Sequence, residues 1–261
     1  MIGLAATAAG AALGVMVLLW LLGLKIRNFS YVDLGWAANF TLIAVLVFVS
    51  GHGVAVRMAA ICLMFALWSS RLALHLATRI VGQPEEGRYV KLRSEWGASG
   101  NLDLKFLAFF LFQGVLDIVL ALPILVAAGN PRESLQILEW VGVVWWAVAW
   151  IGESIADHQL KRFKSDPANK GKVCDVGLWS LSRHPNYFFE WQIWIGYALF
   201  ALASPWGWIC LALPALMLHF LLNVTGVKPT EEQALRSKGD LYRDYQRRVN
   251  AFVPWSRSSG E

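Results

Sequence analysis

Long unbroken apolar runs constrain this chain more than any other feature. A helix that crosses the hydrocarbon core of a bilayer needs about 20 residues. Seven stretches approach or reach that length: about 2–24, 31–50, 54–78, 106–128, 135–157, 187–203 and 206–226. Of the 261 residues, 57% are hydrophobic and 16% charged, against roughly 25% charged in a soluble domain. The runs are continuous rather than alternating, which argues against spanning strands. The expected fold is therefore all-α: a polytopic membrane bundle of about seven transmembrane helices. The turn at Ser204-Pro205 is tight, so residues 187–226 also read as a helical hairpin that is short on one side.

Charge sets the expected orientation. Lys25 and Arg27 follow the first run. Arg79, Arg88, Lys91, Arg93 and Lys105 fall between the third and fourth. Lys161, Arg162, Lys164, Lys170, Lys172 and Arg183 fall between the fifth and sixth, and seven more Lys or Arg follow the seventh. That puts 20 of the 23 basic residues on one side, which the positive-inside rule makes cytoplasmic. The opposite loops, near 51–53, 129–134 and 204–205, carry almost no charge. The N-terminus is expected outside and the C-terminus in the cytoplasm. No basic stretch precedes the first run, which is too long for a cleaved signal peptide and reads as an uncleaved first helix.

This topology accounts for the net charge of +5 without a nucleic-acid partner, with help from anionic headgroups. Cys62, Cys174 and Cys210 are too few and too scattered for a disulfide framework, and no Cys/His metal spacing is present. The 14 Trp suit interfacial belts and lipid-facing packing, with a few left to line a cavity. No internal repeat or flexible linker is visible, so residues 1–261 read as one membrane domain. Its cytoplasmic features are the 79–105 loop, the 158–186 loop and a polar tail from about 227. The tail stretch 230–248 reads as an amphipathic helix entered through Pro229-Thr230, with Glu231 and Glu232 in its first turn and Pro254 ending it.

Ionisable groups inside spans cost about 2.5–3.5 kcal/mol or more on insertion scales, so each asks for a reason. Asp33 lies near the start of the second run. Arg71 and His75 lie one turn apart in the third, and Asp117 shares a face with Gln113 in the fourth. Glu153 and Asp157 lie at i and i+4 in the fifth. Two acids on one face need either a cation, with Lys161 one turn on, or a ligand. Asp33 and Arg71 either pair across helices or act on a ligand. Asp117 is expected to be hydrogen-bonded inside the bundle. His52 and His219, near span ends, carry no expected chemistry.

The stretch 177–190, Gly-Leu-Trp-Ser-Leu-Ser-Arg-His-Pro-Asn-Tyr-Phe-Phe-Glu, carries the most information. Pro185 suits the first turn of a helix, with Ser182 as a cap. The free N–H groups and dipole of that helix favour an anion, and Arg183 and His184 add positive charge there. Asn186 and Tyr187 add hydrogen-bonding groups. The same residues also read as an ordinary helix start with basic and aromatic interfacial anchors.

Arg183-His-Pro-Asn-Tyr187 belongs to a longer series of blocks. Upstream lie Glu153-Ser-Ile-Ala-Asp157-His-Gln, Phe163, Pro167, Asn169 and Gly177-Leu-Trp. Downstream lie Glu190, Tyr242-x-x-Tyr245 and Pro254. Over roughly 150–255 this series resembles a bacterial membrane family of the DUF1295 type, related to steroid 5α-reductases and the wider sterol reductase group. The Arg-His-Pro-x-Tyr core is shared with isoprenylcysteine-type membrane methyltransferases, whereas the Glu…Asp-x-Gln element and the block order favour the reductase side.

The resemblance implies an integral, multi-pass protein of a bacterial inner membrane that binds NADPH from the cytoplasmic side. Residues 135–255 would carry the cofactor and 1–128 the substrate side. The reaction would reduce a carbon–carbon double bond conjugated to a ketone in a hydrophobic, lipid-like small molecule. An acid would polarise the carbonyl. Cofactor contacts would fall on Glu153, Asp157, Lys161, Lys164, Lys172, Asn186 and Glu190, joined by Arg183, His184, Tyr187 and Tyr245. No GxGxxG follows a strand, so the site is not of Rossmann type. On the substrate side, the family's glutamate falls at Asp33 and its tyrosine at Trp68, with Arg71 beside them. An indole N–H donates a hydrogen bond but supplies no proton, which leaves Tyr31 or Tyr89 as hydroxyl sources. No obligatory protein partner is expected. The alternatives are an S-adenosylmethionine-dependent methyltransferase, with Glu231 and Glu232 gathered around Arg183 and His184, and a non-enzymatic transporter or lipid binder.

Overall fold

The structure is a computed structural model that describes residues 2–254 apart from 52, 98 and 99; His52 therefore lies outside the described residues. Their regular secondary structure is helical, with one isolated bridge, between Ser182 and Asn250, in place of any sheet. Five of the helical segments are long and apolar enough to cross a membrane: Gly3–Ile26, Tyr31–Ser50, Ala55–Ile80, Leu102–Ala128 and Gly207–Lys238. Their outward side chains, such as Leu18, Val45, Leu63 and Phe112, are exposed and apolar, as lipid contact requires. By clustering of its contacts the chain falls into two units, Met1–Gln136 with Ala203–Gly207, and Ile137–Leu202 with Trp208–Glu261.

The first unit contains α1 (Ile2–Ile26), α2 (Tyr31–Ser50), α3 (Ala55–Ile80), α4 (Gly87–Gly97), α5 (Leu102–Leu120) and α6 (Leu122–Ala128). α1 packs on α2 and α5, and α2 on α3. Gly114 permits the α1–α5 approach, since a Cβ there would stand 3.0 Å from the Leu13 side chain. The expected fourth span starts earlier than 106, at Leu102, and is broken at Ala121, where Pro123 opens α6. The 79–105 stretch, expected as a loop, holds α4. Tyr89 turns inward from it to join Met16, Phe29, Val32, Phe106 and Phe110 in a buried cluster. Phe29 and Phe106 stack there at 3.8 Å.

The second unit is built on α7 (Ile137–Ser165) and α8 (Pro185–Leu202). Two glycines let them touch. A Cβ on Gly142 would lie 2.6 Å from the backbone nitrogen of Phe200, and one on Gly196 2.7 Å from Cβ of Trp146. Small residues give membrane helices this close approach. The expected fifth and sixth spans correspond to these helices, but neither is among the five apolar segments. α7 carries Glu139, Glu153 and Asp157, and α8 carries Asn186, Glu190 and Gln192.

The last expected span, 206–226, is not one uniform helix. A 3₁₀ turn (Gly207–Leu211) leads into α9 (Ala212–His219) and a π-helical turn (Phe220–Val224). The tail also departs from expectation. Instead of one helix over 230–248 there are two, α10 (Val227–Lys238) and α11 (Asp240–Arg248). Gly239 separates them at φ +54°, a conformation that side chains with a Cβ rarely adopt. The bend brings Tyr242, Tyr245 and Val249 back onto Val173, Ala234 and Leu235. Helix ends at Arg248, with Val249 extended, well before Pro254.

Candidate functional site

Along α7, positions 146, 150, 153 and 157 recur at helical spacing on one side, and on α8 positions 186, 190, 194 and 197 do the same. Glu153 is buried, and Asp157, Asn186 and Glu190 are half-buried. The Asn186 amide donates to Asp157 Oδ1 at 3.2 Å, joining the two helices. The Trp194 indole donates to Glu190 Oε1 at 2.9 Å. Gly152 admits the Phe189 ring, which would lie 2.5 Å from a Cβ. Buried polar atoms of this unit without a hydrogen-bond partner include Asn186 Oδ1, Trp150 Nε1 and Trp191 Nε1. Buried polar atoms are almost always bonded, so this acceptor and these two indole donors are available to something other than the chain itself.

The Arg-His-Pro stretch is engaged with the tail. Ser182 Oγ accepts from the His184 amide at 3.1 Å and donates to the Phe252 carbonyl at 2.7 Å. It thus shapes the turn before the helix while also holding the tail. Arg183 Nε donates to Glu231 Oε1 at 2.7 Å, and its Nη1 to the carbonyls of Gln246 and Val249 at 3.1 and 2.6 Å. His184 Nε2 lies 3.3 Å from the same Glu231 oxygen, and the Gln246 amide donates to Glu231 Oε2 at 2.9 Å. Burial alone would raise the Glu231 carboxyl. The hydrogen bonds of His184 and Arg183 and the Arg183 charge outweigh it and hold the group down at about 2. Burial and the neighbouring Glu231 push the Tyr242 hydroxyl up to about 12. Tyr187 stacks on His184 at 5.4 Å and reaches Thr230 at 3.3 Å. Tyr245 is buried and donates to the Trp179 carbonyl at 2.5 Å. Arg183 and Tyr245 thus tie the tail down, while Asn186, Asp157 and Glu190 line the α7–α8 seam.

The expected basic contacts Lys161, Lys164 and Lys172 are all exposed. Lys238 donates to the Lys172 carbonyl at 2.6 Å. Burial, with the Lys164 charge beside it, holds the Lys238 ammonium below its ordinary value. A cleft of about 540 Å³ opens nearby in sequence, lined by Gln159, Arg162, Phe163, Asn169 and Gly177 among others. Gly177 sits at φ +58°, and a Cβ there would meet the Gln159 side chain at 2.5 Å. The side-chain oxygen Gln159 Oε1 is free to accept from the Leu178 amide at 2.9 Å for that reason.

In the first unit, Asp33 is held by α4. The Tyr89 hydroxyl donates to Asp33 Oδ1 at 2.6 Å, and Arg88 pairs with Oδ2. Burial and the Asp33 charge hold the Tyr89 hydroxyl well above its ordinary value. Trp68 is fully buried among Trp36, Phe40 and Phe65, with ring centroids 5.2–6.5 Å away. It is placed as a core aromatic. Arg71 is half-buried one turn further along α3. Of the two candidate hydroxyls, it is Tyr89 that reaches Asp33.

Sequence reasoning missed Arg88, Gln246 and Lys238 as members of these clusters. Arg88 was indistinguishable from the other topogenic charges of its loop. Gln246 and Lys238 carried only the signal of an amphipathic helix, which does not say what its polar face meets, while Tyr242 was legible in the Tyr242-x-x-Tyr245 block but not as a neighbour of Glu231.

Residues 19–249 match the family described as "Protein of unknown function (DUF1295)". The chain is 27% identical over 264 residues to "Uncharacterized protein C594.04c" of Schizosaccharomyces pombe, covering 90% of this chain and 75% of the yeast protein. A shorter stretch of 53 residues is 43% identical to "Probable O-methyltransferase ustE" of Ustilaginoidea virens, covering 20% of this chain and 19% of that one. No solved structure matches. With the family match running through both units and both clusters, the chain belongs to the DUF1295 family.

Proposed function

We propose that this protein is an NADPH-dependent reductase of a carbon–carbon double bond in a lipid-like enone, embedded in the bacterial inner membrane with its C-terminus in the cytoplasm. In this reading α7 and α8 are the fifth and sixth of seven spans. The polar residues that keep them out of the plainly apolar class are the ones that hold the cofactor. The observation that carries the reading is the α7–α8 seam, where Asn186 bridges to Asp157 while Asn186 Oδ1 and the Trp150 and Trp191 indoles keep unused hydrogen-bonding capacity. An acceptor and donors together suit a carboxamide and ribose hydroxyls. Glu153, Asp157, Asn186 and Glu190 would hold those groups, and Lys161, Lys164, Lys172 and Lys238 would face the phosphates. Bound NADPH supplies the hydride that goes to the β-carbon. On the substrate side, Asp33, held by Tyr89 and Arg88, takes the place of the family's glutamate and would act as the acid that polarises the carbonyl.

A second reading, an S-adenosylmethionine-dependent methyltransferase, is favoured by two observations. Glu231 is gathered with Arg183 and His184, and the short O-methyltransferase match points the same way. One experiment separates the two. Thermal unfolding of purified protein is followed with saturating NADPH or S-adenosylmethionine, since a ligand that binds only the folded state raises the midpoint. A rise with NADPH that Asp157→Ala abolishes supports the reductase. A rise with S-adenosylmethionine alone transfers the assignment to the methyltransferase.

A further inference from the structure

Deep in the first unit, three helices meet at a polar point that neither reading uses. Asn39 on α2 donates through Nδ2 to Asp117 Oδ2 on α5 at 2.7 Å, and lies 3.3 Å from the Ala12 carbonyl on α1. Both side chains are buried, Asp117 at 0% and Asn39 at 1% exposure. The two remaining oxygens, Asp117 Oδ1 and Asn39 Oδ1, are buried and bonded to nothing in the protein.

The arithmetic of donors and acceptors narrows what completes the pair. An ionised carboxylate only accepts, and an amide oxygen only accepts. With Asp117 ionised, the junction holds a charge and two unmet acceptors inside a segment apolar enough to span a membrane. Among the described residues, the side chain bonded to Asp117 is Asn39, and no cation pairs with it. The other charged residues of α1, α2 and α5 lie at helix ends: Lys25, Asp33, Asp103 and Lys105. α6 carries none. On α3, which packs against α2, Arg57 donates to the carbonyls of Arg132 and Ser134; Arg71, His75 and Arg79 lie in the half of α3 that is level with Asn39, as the Thr41–Ser69 contact shows, but none of them is bonded to either free oxygen. A metal ion would need a larger oxygen set, and among the described residues no group of three His, Cys, Asp or Glu could hold one.

We propose that Asp117 binds a proton and forms a closed acid–amide pair with Asn39, the amide N–H donating to one acid oxygen and the acid O–H to the amide oxygen. The proton comes from water and no other bond changes. One hydrogen satisfies both acceptors and removes the charge, so the α1–α2–α5 junction is fastened by an uncharged polar pair.

The test is infrared spectroscopy of the full-length protein in vesicles at neutral pH, with ¹³C placed in the aspartate carboxyl groups. The expected result is a label-sensitive C=O band of a protonated carboxyl. It disappears in Asp117→Asn, whose amide reproduces both hydrogen bonds without a titratable proton. In Asn39→Leu the acid loses its acceptor, and the band moves to the position of a carboxyl that is not hydrogen-bonded. A wild-type spectrum with no label-sensitive band overturns the proposal without requiring any variant to fold. So does a band left at full strength in Asp117→Asn, or one unmoved in Asn39→Leu.

Discussion

Glu231 on α10 accepts from Arg183 Nε at 2.7 Å, and this contact joins the tail to the turn that opens α8. Its dependence on pH follows from the sign of the shift. The folded state holds the Glu231 carboxyl at about 2 against an ordinary value of 4.5. Its contribution is therefore complete above about 4.5 and fades as the pH falls toward about 2. Glu231→Gln should unfold at a lower temperature than wild type at neutral pH. The gap should close across that acid window. Unfolding followed by tryptophan fluorescence at a series of pH values would show it, and a gap independent of pH would mean that Glu231 acts through packing alone.

Gly177→Ala should loosen the 166–180 connection. The residue sits at φ +58°, and its new methyl would strike the Gln159 amide that holds Leu178. A backbone strain of this kind costs about 1–3 kcal/mol. Faster proteolysis confined to this connection, with a lowered unfolding midpoint, is the expected outcome.

The α7–α8 contact can be probed through Gly196. Adding a methyl places it 2.7 Å from Cβ of Trp146, and overpacking typically costs about 1–3 kcal/mol. Gly10→Ala is the matched control, because nothing lies within 4 Å of a Cβ at that helical position. It should be neutral or stabilising by up to about 1 kcal/mol. Comparable losses from both would remove the case for close helix contact.

Tyr89→Phe keeps the ring in the cluster of Phe29 and Phe106 but removes its hydrogen bond to Asp33. A lost bond to a charged group costs about 1.5–3 kcal/mol. Under the reductase proposal the variant should bind NADPH with unchanged affinity while its turnover falls. Loss of nucleotide binding in Tyr89→Phe would instead place Tyr89 in the cofactor site.

Much of the helical framework was legible because its signal is local. α2 runs over the 31–50 expected of it, and α3 differs by only a residue or two. Pro185 opens α8 as its fixed φ allows. The tail was legible as helical but not as two helices. The break at Gly239 is set by where Tyr242 and Tyr245 must land, and a single glycine in a polar stretch does not announce that. The reading of Asp117 as a hydrogen-bonded interior group agrees with the bond it makes to Asn39. Its partner, 78 residues away, had no local mark.

The sequence by itself determined the helical class and the apolar segments, because burial of backbone polar groups in lipid leaves a continuous apolar run little choice but helix. It also marked Asp157, Arg183 and Asn186 as residues asking for partners. Only the tertiary structure decided who those partners are. Asn186 goes to Asp157 across two helices, Arg183 to Glu231 in the tail, and Tyr89 to Asp33 from a stretch read as loop. Hydrogen bonds between segments far apart in the chain depend on how helices cross, and that crossing is set by packing at positions such as Gly142 and Gly196 rather than by any pattern within one helix.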